Sequence, residues 1–216
     1  KSSTSSVTNW GAFRLGPIGV ATGVNIIDVR YDDLYVLDAS GAGTVRNDFL
    51  GDCRVDALYP TAEGNTINGI PSTGTNNAAL VDETAPNITD YNTLNAVGDK
   101  DTFVTQNMPV SGSAVFGVQI NASSKKVDAG NAALALVARP VSVDYDSAAS
   151  AVAADYLYAR GIFEQNPGTV ADWTTAQIDA SEFGYKKSTF SFAPAPSVGT
   201  LGMTGRAPAL ALTVTT

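Results

Sequence analysis

The side chains best suited to acid–base or metal chemistry fall in acidic pairs along the chain: Asp32/Asp33, Asp82/Glu83, Asp99/Asp101 and Asp144/Asp146. Calcium takes about six to eight oxygen ligands, and such pairs with turn carbonyls can supply several. None of the pairs carries the spacing of a complete calcium loop. Acids also gather at strand ends because Asp favours turns and guards sheet edges against aggregation. Two carboxylates can serve glycoside hydrolysis, but the separation that chemistry requires is set by the fold. Histidine is absent, which removes the usual general base, the triad partner and the commonest transition-metal ligand together. The sequence therefore assigns no catalytic, cofactor-binding or metal-binding residue and leaves ligand-binding residues open. The expectation is a protein that is not an enzyme and carries no cofactor.

Other residues invite a binding reading. Tyr156 and Tyr158 alternate on one strand face, where they can stack on sugar rings, join an interface or simply pack. Asn87-Ile88-Thr89 and Asn121-Ala122-Ser123 match the glycosylation acceptor triplet, which acts only in a secretory pathway. Cys53 has no cation or base near it in sequence and reads as a small buried hydrophobe.

A lone cysteine forms no internal disulfide. With 216 residues the chain can bury a core that needs no staple. A net charge of −8 with scattered Lys and Arg argues against a nucleic-acid backbone as partner. No window approaches the roughly 20 apolar residues of a membrane-spanning helix. Because the sequence starts at Lys1 without methionine, the expectation is a processed product or part of a longer protein.

The elements that must position these residues are strands. Tyr31–Asp38 is a short apolar run with acidic ends, read as a buried strand, and residues 52–60 alternate as a half-exposed one. Between them Ala39–Thr44 is a small, Gly-containing junction. Residues 61–99 read as a long connection and a first candidate for a contact surface, interrupted by Ala78–Val81. Strands follow at 102–104, at 113–122 with Ala114, Phe116, Val118 and Ile120 on one face, and at 132–139 with Leu134, Leu136 and Ala138 on one face. Lys125–Asn131 reads as a hairpin-like turn between the last two. Val141–Asp146 extends the sheet past Pro140, 147–154 reads as a loop, and 155–164 is another strand. A short helix is predicted near 172–180, capped by Asp172 with Trp173 and Ile178 docking inward. A strand at 182–192 precedes the stiff Ala193-Pro194-Ala195-Pro196 and a tail with β-prone pieces that can add a strand to a sheet in this or a neighbouring chain. The fold class is all-β, an antiparallel β-sandwich of jelly-roll or Greek-key type with extended terminal arms. The divisions are an arm at 1–9, a strand segment at 10–45, the main domain at 46–192 and a tail at 193–216.

Several blocks occur in an order that resembles a family of structural proteins of tailed bacteriophages. They are Asp32-Asp33-Leu34-Tyr35-Val36, Asn47-Asp48-Phe49-Leu50-Gly51, Val97-Gly98-Asp99-Lys100-Asp101-Thr102-Phe103, Gly117-Val118-Gln119, Asn166-Pro167 with Trp173-Thr174, and Glu182-Phe183-Gly184-Tyr185-Lys186. In that family a concanavalin-like, lectin-type sandwich commonly precedes the first block, and here residues 10–38 resemble its end. The Gly199–Pro208 stretch is similar to connecting segments of phage virion proteins. The resemblance carries over no catalytic residue. It implies a non-enzymatic structural protein on the virion surface, a tail-associated fibre component or a capsid decoration. Its implied partners are other virion proteins and copies of itself in a homo-oligomer, for instance a trimer, with no nucleic acid and no membrane insertion. The alternative expectation is a carbohydrate-binding module for host surface glycans, using Tyr156, Tyr158 or the 61–99 region.

Overall fold

The computed structural model describes residues 50, 53–84, 87–111 and 114–189. They form antiparallel sheets with almost no helix. The large sheet is six-stranded, in the order β1 (Pro60–Ile67), β4 (Lys100–Thr105), β12 (Glu182–Ser188), β7 (Ala133–Arg139) and β8 (Tyr145–Asp146), with β9 (Ser150–Ala151) also pairing β7. Three two-stranded sheets accompany it: β6 (Val118–Ser124) with β10 (Leu157–Phe163), β5 (Ala114–Val115) with β11 (Trp173–Thr174), and β2 (Ile70–Pro71) with β3 (Asn92–Thr93).

Cross-strand register explains which residues share a face. Phe103, Phe183 and Ala138 form one row, and Asp101, Tyr185 and Leu136 form the next. This face is covered by β6, β10, β11 and the helix α1 (Thr175–Asp179). Trp173 and Ile178 pack with Ala138 and Phe183, and Leu134 and Leu136 pack against Ala159. The aromatic rings meet at tilted angles, Phe103 with Tyr185 at 5.7 Å and Trp173 with Phe183 at 6.2 Å between centroids, a favoured aromatic geometry. The opposite face carries Lys100, Lys186, Thr102, Glu182 and Arg139, so β4 and β12 are polar and charged toward that layer.

Strand β7 is apolar on both faces. Ala133 to Ala138 are all buried, which requires an interior position in the sheet. In β12, Gly184 is dictated by proximity: a Cβ there would lie 1.9 Å from the Asp101 carbonyl oxygen. Helix α1 is short but closed by a capping box, in which Thr174 accepts from the Gln177 amide and the Gln177 side chain accepts from the Thr174 amide.

Several expectations change. Residues 53–59 form no strand, and the edge strand lies at Pro60–Ile67 instead. Its side chains are mostly polar or small because it is an edge, because Glu63 accepts from the Asn77 amide and because Gly64 leaves room for Glu182 and Thr102, so its hydrophobic period is weak. Residues 61–99 do not form one loop; they contain β1, β2, a 3-10 turn at Ala78–Leu80, and β3. Lys125–Asn131 joins no hairpin: β6 pairs with β10, and β7 belongs to the large sheet. The row Val118, Ile120 and Ala122 is half-buried and suits a covering strand, whereas a strand buried on both faces cannot sit in a two-stranded ribbon. The 113–122 strand breaks at Phe116–Gly117, and 147–154 contains β9. The helix is capped by Thr174 rather than Asp172, although Trp173 and Ile178 do dock inward. The expected strand at 31–38, the arm at 1–9 and the tail at 193–216 lie outside the described residues.

Candidate functional site

The acidic residues singled out by sequence are engaged in different ways. Asp101 is fully buried, with Oδ1 accepting from the amides of Asn68 at 2.8 Å and Gly69 at 2.7 Å. Its Oδ2 accepts from Asn77 Nδ2 and from the Tyr185 hydroxyl, each at 3.1 Å. Asn92 Nδ2 in turn donates to Tyr185 and to the Asn77 carbonyl. Burial first, and then the charge of Asp101, push the Tyr185 phenol far above its ordinary range, so it remains a proton donor to Asp101. The network ties Asn68, Gly69, Asn77 and Asn92 to the central strands. Its neighbour Asp99 accepts from the amides of Asn95 and Ala96 and shapes the turn before β4.

On the other face, Asp144 bonds Arg139 Nη1 at 2.6 Å and is ion-paired with Lys100. Arg139 also reaches Asn65 and lies 3.7 Å from Glu182, whose Oε2 accepts from Thr102 Oγ1 at 2.6 Å. Partial burial works against the Asp144 carboxylate, but hydrogen bonds and charge from Lys100 and Arg139 outweigh it and hold the group below its usual range. Asp146 pairs with Lys186 at 2.5 Å. The lattice spans β4, β12, β7 and the approach to β8. A shallow groove of about 410 Å³ lies beside it, lined by Asp146 to Ala149, Ala135, Ser188 and Thr189. Glu83 accepts from Asn87 Nδ2, while Asp82 is exposed. Among the described residues no group of three or more His, Cys, Asp or Glu side chains converges as metal ligands.

Tyr156 and Tyr158 do not act together. Lys125 Nζ sits over the Tyr156 ring at 4.7 Å from its centroid, whereas Tyr158 is 64% exposed on the outer face of β10. Register places Tyr158 opposite Ser123, Arg160 opposite Asn121 and Ile162 opposite Gln119. Gln119 Nε2 donates to Asn121 Oδ1 at 2.8 Å. This outer face therefore combines an aromatic ring, a guanidinium and aligned amides, a set able to bind sugars or another protein surface. Sequence pointed to Tyr158 by alternation, but not to Arg160 as a partner or to the opposing amides, because pairing partners are not visible in a one-strand pattern. Half-buried Cys53 makes a long Sγ contact of 3.6 Å to the Leu50 carbonyl. Asn87 folds its side-chain oxygen onto the Thr89 amide and hydroxyl.

No protein-family model, curated protein or solved structure matches the chain.

Proposed function

We propose that the chain is a non-enzymatic structural protein of a tailed-phage virion surface, a fibre component or capsid decoration. It would assemble with copies of itself through its terminal arms on a β-sandwich of jelly-roll or Greek-key type. The sandwich reading is supported by β6 and β10 layering over β7 of the large sheet. The observation that carries the functional reading is where the phage-like blocks fall. Gly98 takes a positive φ of 97° before β4, Asp101, Thr102 and Phe103 are buried, and Asn166 is a buried brace of its turn. Trp173 fills the core, Thr174 caps the helix, and Glu182–Lys186 run through the interior strand β12. A signature made of fold-building residues fits a protein whose work is shape and multivalent attachment.

The test is on particles whose genome encodes the sequence. Purified virions should contain its peptides by mass spectrometry, and antibodies against the chain should place gold on the particle surface. Virions lacking the peptides would overturn the reading.

A second reading, a module for host glycans, is favoured by the exposed Tyr158 and Arg160 beside the Gln119–Asn121 amides. It requires saturable binding on a glycan array that Tyr158→Ala abolishes. A wholly negative array would remove it.

A further inference from the structure

The two-stranded sheet β6–β10 is left with an open edge. Its strands pair along all seven residues from Leu157/Ser124 to Phe163/Val118, and no further strand among the described residues joins them. Apart from the Phe163 carbonyl, which accepts from Trp173 Nε1 at 3.0 Å, no hydrogen bond from outside the ribbon reaches the backbone of β10 among the described residues. The position of β10 makes its free side the outer one. Strand β6 lies toward β12, whereas Gly161 of β10 packs close to Leu136 and Ser147, over the margin formed by β7 and β8. Leu157, Tyr158 and Ile162 of β10 are each more than half exposed, so the edge is long and largely apolar, with Arg160 its one charge and neither Pro nor Lys. Such an edge pairs readily with another strand.

We propose that this edge accepts a β-strand, and that the donor is Ala209–Thr215 of a neighbouring copy. In that segment Leu210, Leu212 and Val214 alternate with Ala209, Ala211, Thr213 and Thr215, the period of a strand with one buried face. The donor's main chain completes the hydrogen bonding of β10, and its apolar row covers the layer beside Leu157. Thr189, the last described residue, lines the same groove as Asp146–Ala149, among them the Ser147 that lies close to Gly161 of β10. Return to the same copy from there needs only a short turn. The intervening residues 190–208 instead include Pro194 and Pro196 and reach roughly 60 Å when extended, a span suited to a neighbour.

This proposal rests on the assembly reading above, and its test separates the two. Full-length protein and its Leu212→Pro variant, which lacks one donor amide and disfavours strand geometry, are compared by light scattering and by segment-resolved hydrogen exchange. The expected result is an oligomer that falls to a folded monomer in the variant, with amides of 157–163 exchanging roughly ten-fold faster and those of β4 and β12 unchanged. An oligomer in which Leu212→Pro leaves both mass and exchange at 157–163 unaltered overturns strand donation and spares assembly. A wild-type monomer whose 157–163 protection still depends on Leu212 assigns the strand to its own copy and overturns donation between copies. A monomer with no effect of Leu212→Pro sinks both.

Discussion

At the residue scale, the acids are fixed to hold strands together. Asp101 satisfies the amides of Asn68 and Gly69 together with Asn77 and Tyr185, so Asp101→Ala deprives the Gly69 amide and the Tyr185 hydroxyl of their acceptor and opens a gap in the buried network. The expected loss is roughly 3 kcal/mol, read as a lower denaturation midpoint with unchanged slope. Asp144 acts through charge. Its folded pKa lies below the unfolded one, so its stabilisation is complete above the unfolded value of about 4 and is lost as pH falls through the folded value. Asp144→Asn should lower stability at neutral pH and flatten the fall in stability below about pH 4, followed by thermal melts across that range. Val170 is the reverse case. It is 77% exposed yet holds φ at 54°, a left-handed conformation that a β-branched residue adopts at a cost. Val170→Gly should stabilise by roughly 1 kcal/mol in the same denaturation assay, since relief of strain exceeds the added freedom of the unfolded chain.

At the element scale, the close approach of β12 to β4 is the most demanding feature. A methyl at Gly184 meets the backbone oxygen of Asp101 rather than a movable side chain, so Gly184→Ala should destabilise by at least roughly 3 kcal/mol or prevent folding. Equilibrium unfolding of the purified variant checks it. Period and punctuation made β4, β7, β10, the start of β12 and the inward docking of Trp173 and Ile178 legible in the sequence. Strand β1 was not legible, because an edge strand whose side chains serve neighbouring polar groups carries almost no apolar alternation. Pairing was equally hidden. Lys125–Asn131 has turn chemistry, but whether β6 turns back onto β7 or crosses to β10 depends on how many faces each strand must bury. Of the candidate surface, Tyr158 was visible as one of an alternating pair; the covering of Tyr156 by Lys125 was not.

At the scale of the whole molecule, polar networks and core rows lock the described strands, while no strand among the described residues pairs with the outer edge of β10. On the proposed assembly reading, attachment strength would come from copy number more than from one deep site. Its charged face, with Lys100, Arg139, Asp144 and Glu182 engaged with one another, keeps the central sheet rigid. The most direct measurement is the mass of the full-length chain in solution by multi-angle light scattering over a range of concentrations. The account predicts a discrete homo-oligomer that persists on dilution into the micromolar range. A monodisperse monomer at every concentration would contradict it.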